Sequence, residues 1–208
     1  MKGVRVPTTP HFKYLGVWLD KRMSFDEHVA RVAPKAKKMA NSLARILPNI
    51  GGAGGHVRRL YVATVHSVLL YAAPIWWMKV GGNARFNRQM AAAQKVIAIR
   101  AARAYRTVSH VGATILAEVP PIELLAKSYA ETYEAVGRIR AEQGEVPPKA
   151  RRELKLRAKE TLFREWKQWL ADPQRIWGRR VIEAVQPVLE EWVEGNKRRY
   201  VAFHACRC

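Results

Sequence analysis

One stretch of this chain has convincing strand character, Phe12-Lys13-Tyr14-Leu15-Gly16-Val17-Trp18-Leu19-Asp20, and almost everything after it carries helical spacing. Counted with a period of two, Phe12, Tyr14 and Trp18 share one face, and Lys13, Leu15, Val17 and Leu19 the other. Both faces are mostly apolar, which predicts a strand covered on both sides. Gly16 has no side chain, so another group can approach the backbone closely there. The expected fold class is therefore mainly α, a helical bundle preceded by one β-strand or short β-hairpin.

The helices can be placed from their start and stop signals. Ser24 stands three residues before Glu27, a capping-box spacing that puts a helix start near Phe25. Apolar positions then recur from Val29 through Leu47, with Pro34 expected to kink or split the helix. Pro48 and the run Gly51 to Gly55 end it. No Lys-Ser/Thr follows those glycines, so the run reads as a loop and not as a phosphate-binding P-loop. A second helix, from about His56 to Trp77, is apolar nearly all round, as suits the centre of a bundle. A third runs from about Ala84 to Tyr105, with Phe86, Met90, Ala93, Ile97, Ala101 and Ala104 on one side.

Beyond residue 117, Pro120-Pro121 opens a helix to about Ala141, with Ile122, Leu125, Tyr129, Tyr133, Val136 and Ile139 expected to face inward. A linker over Gly144 to Pro148 leads to a helix from Lys149 to Ala171. That helix carries Glu153–Arg157 and Glu160–Arg164 pairs and an apolar stripe of Phe163, Trp166 and Leu170. A last helix covers about Arg179 to Val193, with Pro187 as a kink or stop.

The charge is unusual in its amount and its placement. The formal net charge is +20. Residues 1–117 hold 19 basic residues and three acids, a balance of +16, while residues 118–208 hold 18 bases and 14 acids, a balance of +4. A field that one-sided points to a polyanionic partner. On the first helix Arg31, Lys35, Lys38 and Arg45 fall opposite the apolar stripe, and no acid follows Glu27. On the third, Arg85, Arg88, Lys95, Arg103 and Arg106 do the same, again with no acid. Faces meant only for solvent usually mix signs, because like charges four apart destabilise a helix. These nine residues are the candidate phosphate contacts, and the two faces are expected to wall a groove for a nucleic-acid backbone. A basic protein with two solvated faces is the alternative. Acidic membrane lipid is a weaker target, because the basic residues sit on helices that also have cores to fill.

Enzymatic motifs are not in evidence. The sequence has no His-Glu-x-x-His, no Gly-x-Ser-x-Gly and no Asp-Asp; its three aspartates are Asp20, Asp26 and Asp172. No catalytic residue, metal ligand or cofactor is assigned. His204, Cys206 and Cys208 form a His-x-Cys-x-Cys tail whose spacing suits zinc poorly. Two terminal cysteines allow no disulfide framework and fit a reducing compartment. Met1 to Pro10 lacks the apolar core of a signal peptide, so an intracellular location, nuclear or cytoplasmic, is expected. The apolar run Leu60 to Trp77 is interrupted by Thr64, His66, Ser67 and Pro74, and reads as a buried helix, not a membrane span.

Four motifs carry a family resemblance. Phe12-Lys13-Tyr14-Leu15-Gly16-Val17 with Leu19-Asp20, then Ser24-Phe25 and His28-Val29, resembles the segment that closes the palm in reverse transcriptases (Pol polyproteins) of non-LTR, LINE-type retrotransposons. Leu69-Leu70-Tyr71-Ala72-Ala73-Pro74-Ile75-Trp76, Arg103-Ala104-Tyr105-Arg106-Thr107-Val108-Ser109 and Val119-Pro120-Pro121-Ile122 resemble later landmarks of the same family, in the same order, most like the type-1 elements that insert into ribosomal DNA. The resemblance implies that residues 1–23 end the palm as a strand or hairpin. It makes 24–117 a basic, thumb-like helical bundle and 118–208 a helical connection region cut short of a zinc-knuckle-like cluster. It further implies that Tyr14, Leu15 and Gly16 lie near the primer end. The palm and fingers, with the aspartates that hold Mg, belong upstream in the same polyprotein, so this chain would be inactive alone. The implied ligand is RNA, DNA or an RNA–DNA hybrid. Two rivals stand beside this reading: a translated remnant of a decayed element, and a stand-alone basic RNA-binding module.

Overall fold

The computed structural model describes residues 9–50, 52–174 and 177–195. The fold is mainly α, a helical bundle preceded by a short hairpin, as the periodicity predicts. The strand stretch itself is not one strand. β1 (His11–Tyr14) pairs antiparallel with β2 (Val17–Asp20), Tyr14 opposite Val17 and His11 opposite Asp20. Leu15 and Gly16 make the turn, both at positive φ, 44° and 89°. Two such residues in succession are the signature of a type I′ hairpin. Among the described residues nothing covers both sides as expected: β1 is exposed along its length, and Val17 is the buried member of β2. The period-two count fails because it runs straight through the reversal at Leu15-Gly16.

α1 (Asp26–Ala44) starts where the sequence places it, but the capping box does not form. Phe25, at φ 59°, carries no side-chain cap. The Asp20 carboxylate does the work instead, accepting from the backbone N–H groups of Arg22, Ser24 and Phe25 and from Ser24 Oγ, at 2.8–3.2 Å. Pro34 does not split α1. It and Ala30, whose carbonyl loses its donor, both lie on the exposed side, where solvent can take the freed group.

The predicted second helix is two. α2 (Gly55–Leu69) and α3 (Ala73–Val80) are bent 67° from each other. Ala72 adopts a left-handed φ of 55°, and Pro74 in the first turn of α3 has no N–H to continue the ladder. Nor is this pair buried all round: Leu60, Ile75 and Met78 are exposed. α4 (Ala84–Ala102) is capped by Asn83 Oδ1, which accepts from Arg85 N–H and Phe86 N–H, and it ends at Ala102, three residues short of the predicted Tyr105. The short α5 (His110–Leu116) escaped the sequence reading; Ser109 Oγ caps it by accepting from Gly112 N–H at 3.1 Å. α6 (Ile122–Gln143) buries Ile122, Ala126 and Ala130, and leaves Tyr129 and Tyr133 exposed where they were expected inside. α7 (Pro148–Leu170) follows the linker as predicted. α8 (Arg179–Val185) and α9 (Leu189–Glu194) are separated by a 3₁₀ turn, Gln186–Val188, that contains Pro187.

Two cores result. The first gathers β2, α1 to α4 and the start of α6, with Trp76 at its centre, 5.3 Å from the Phe86 ring and 6.4 Å from the His28 ring. The second joins α5, α7, α8 and α9 around Trp166, with the predicted stripe of Phe163 and Leu170 buried beside it. An indole buried to this degree removes roughly 200 Å² from water, on the order of 5 kcal/mol of transfer free energy. The α5–α6 segment serves both: Val111 and Ile115 enter the second core, Val119, Ile122 and Ala126 the first. Among the described residues, the predicted pairs within α7 do not close. Its ion pairs cross to neighbours instead, Glu165 to Lys127 at 2.6 Å and Lys167 to Glu190 at 2.7 Å.

Candidate nucleic-acid interface

α1 packs directly on α4, and the predicted cations of the two helices mostly stand in solvent. Lys35, Lys38, Arg45, Arg85 and Arg88 are exposed, and Lys95 is half-buried. Among the described residues Lys35, Lys38, Arg45, Arg85 and Lys95 take part in no ion pair. Arg31 is differently placed. It pairs with Glu27 one turn back and lies over the Trp18 ring, 3.9 Å from its centroid, so it ties α1 to the hairpin.

Arg103 and Arg106 do not share the α4 face. The helix stops before them because Arg103 turns left-handed, and Arg106 lies in the exposed turn that follows. Arg103 Nη2 donates instead to the Gly52 and Ala53 carbonyls, at 3.2 and 3.0 Å. It joins two arginines that the sequence reading passed over. Arg58, 4% exposed, donates to the carbonyls of Ala53, Arg100 and Pro48 at 3.0, 2.5 and 2.6 Å. Arg100 donates to the Leu47 carbonyl and to Asn49 Oδ1. Burial, together with the charges of Arg103 and Arg100, lowers the Arg58 pKa from its ordinary value. Three guanidiniums thus clamp the glycine loop through carbonyls alone. The signal was present: Arg58 stands three, four and seven residues before Tyr61, Val62 and Val65, on the buried arc of α2.

Tyr14, Leu15 and Gly16 form the hairpin tip. The predicted close approach at Gly16 occurs, and the approaching group is Tyr71. A Cβ on Gly16 would sit 2.9 Å from Tyr71 Cε1, and Tyr71 Oη donates to the Leu15 carbonyl at 2.7 Å. Trp76 Nε1 in turn donates to the Tyr71 carbonyl at 2.8 Å. The other two motifs also fall at joints. Arg103 and Ser109 begin and end the α4–α5 connection. At Val119-Pro120-Pro121-Ile122, the buried Gln94 donates through Nε2 to the Pro120 carbonyl and accepts from Ile122 N–H through Oε1. Gln94 went unread because it is a lone polar residue inside the apolar arc of α4.

Two imidazoles are buried and neutral. Burial pulls both His28 and His66 down to about 4. The backbone N–H of Trp18 donates to His28 Nδ1, and the Nε2 atoms of both rings have no partner among the described residues. Among the described residues no three His, Cys, Asp or Glu side chains come together as metal ligands. The His204, Cys206 and Cys208 tail lies outside the described residues. No single described helix is long and apolar enough to cross a membrane.

Comparison with known protein families gives no match, and neither does comparison with solved structures. Among curated proteins, the chain is similar to the 115 kDa protein of the type-1 retrotransposable element R1DM of Drosophila melanogaster, 29% identical over 132 residues, 63% of this chain. The aligned part spans 13% of that protein's length. The similarity supports a retrotransposon origin for the chain.

Proposed function

We propose that this chain is the thumb and following connection of a retroelement RNA-directed DNA polymerase. It grips an RNA template or RNA–DNA primer–template through phosphates and reads no base sequence. The observation that carries this reading is the pair of packed helices α1 and α4, which present exposed cations and contain no acid beyond Asp26 and Glu27. Phosphate contacts of this kind supply affinity and register but little sequence information. The similarity to the R1DM protein supports the retroelement setting. In this reading an upstream palm and fingers supply the metal-binding carboxylates, and the Leu15-Gly16 tip lies toward the primer.

The test is fluorescence anisotropy with a labelled RNA–DNA hybrid and with duplex DNA across a range of salt. Log affinity should fall with log salt by about 0.9 per phosphate neutralised on B-DNA. Lys35→Glu with Arg88→Glu should weaken binding at least about tenfold and flatten that slope. Unchanged affinity and slope in the double variant would remove α1 and α4 as the interface.

A further inference from the structure

A groove of about 1260 Å³ runs along one face of α2. Its other walls are the end of α4, the α5–α6 turn, Tyr129 of α6 and Trp192 of α9. Small-molecule pockets occupy about 300–1,000 Å³, so this space suits an extended ligand. Its two ends differ in chemistry. At one end stand Arg58, Arg59 and Arg103 beside the first turn of α2. That turn opens on Gly54 and Gly55, has no acid and no side-chain cap, and so leaves backbone N–H groups unclaimed. Among the described residues, the arginines there bond carbonyls, or for Arg59 the His56 ring at 3.5 Å, and none bonds a carboxylate. Eight residues on from Arg58, about 12 Å along the axis, His66 lines the same wall. It is 7% exposed and its Nε2 has no partner among the described residues. The remaining lining is largely apolar and aromatic, and includes Tyr71, Tyr129 and Trp192. Trp192 is fixed by its Nε1 bond to the Ile115 carbonyl, and Tyr71 by its bond to Leu15. Two acids, Glu118 and Glu191, also border the groove, and each is engaged by another group of the protein.

From this arrangement we infer that the groove is a second nucleic-acid site, one that takes a single-stranded segment. A phosphate is held by Arg59, Arg103 and the α2 amides, and bases lie against the apolar wall. Charge complementarity selects this occupant: arginines that bond no carboxylate, in one groove with aromatic side chains, are the composition of single-strand grooves. A purely apolar helix would leave the arginine end uncompensated. The inference rests on the nucleic-acid reading above and adds to it a distinct path for unpaired template or displaced strand, separate from the outer faces of α1 and α4.

The test uses the full chain and two fluorescein-labelled probes, a twelve-nucleotide single-stranded RNA and a blunt RNA–DNA hybrid. The variants change exposed groove positions: Arg59→Glu removes the phosphate contact, Tyr129→Ala removes a platform, and Ala63→Trp fills the groove. Each should weaken single-strand binding by about tenfold, the loss of one stacked base or charged contact, and leave hybrid binding within about twofold. Lys35→Glu with Arg88→Glu should show the opposite pattern. Hybrid binding with single-strand affinity unmoved by Arg59→Glu and Ala63→Trp overturns the groove inference alone, and gives the groove to another occupant such as an apolar helix. Parallel losses on both probes also overturn it. If the unsubstituted chain binds neither probe, the underlying nucleic-acid reading falls with it.

Discussion

Four donors converge on the carboxylate of Asp20, and they join the end of β2 to the start of α1. Desolvation pushes this carboxyl up, and the hydrogen bonds from Ser24, Arg22 and Phe25 more than offset it, leaving the pKa below its ordinary value. Its contribution is therefore present above the unfolded carboxyl's pKa and lost only in strong acid. The buried imidazoles act in a milder range. His28 and His66 titrate near 4 in the folded chain, against about 6.5 when unfolded. Between those values the unfolded state binds more protons, so stability is full above about pH 6.5 and falls as pH drops toward about 4. Thermal melts from neutral to mildly acidic pH should show that slope, and His28→Gln with His66→Gln should flatten it. A slope that survives both substitutions would place its origin elsewhere. Arg58 ties together three backbone carbonyls. Arg58→Met leaves the carbonyls of Pro48, Ala53 and Arg100 without their donor, and should cost roughly 2–4 kcal/mol in denaturant unfolding. Arg58→Lys should recover little of this, because one ammonium cannot reproduce a planar fork of donors.

At the level of elements, the long helices were legible, while the short α5 and the bend between α2 and α3 were not. The apolar arcs of α1, α4 and α7 were readable because 3.6-residue spacing persists for several turns in each. The α2–α3 bend was not, since the left-handed Ala72 leaves no mark in the residue pattern, although Pro74 stood beside it. The inward face of α6 was misjudged for a related reason. Tyr129 and Tyr133 look like core residues by type, yet close approach to α3 favours small Ala126 and Ala130. Of the nine predicted phosphate contacts, those on exposed helical turns stand in solvent. Arg31 and Arg103 are claimed by Trp18 and by the glycine loop, contacts too distant in sequence for spacing to reveal. The hairpin tip is the joint most open to test. Gly16 needs φ +89° and lies against the Tyr71 ring. Gly16→Ala should therefore lose about 1–3 kcal/mol of stability. Tyr71→Ala in the same background relieves the contact but not the backbone strain, so it should restore only part of the loss. Full restoration would assign the whole penalty to the ring.

For the whole molecule, the two cores share the α5–α6 segment, and Trp192 of the second bonds the Ile115 carbonyl on α5. Neither can open without disturbing that segment, so a circular-dichroism melt should give a single cooperative transition. Two resolved transitions would mean the cores melt independently, and a broad, featureless one would favour a decayed remnant with no stable fold of its own. The arginine clamp on the glycine loop has a further consequence. Carbonyl oxygens satisfy the geometry of Arg58, Arg100 and Arg103 but cancel none of their charge, and residues 1–117 carry 19 bases to three acids. The first core is thus folded against its own Coulomb repulsion, which dissolved ions screen over about 8–10 Å at ordinary ionic strength. Added salt should raise the melting temperature of the free chain while loosening its hold on a polyanion. A bound strand would then serve the chain as its counter-ion, stabilising the fold by mass action as it occupies the surface.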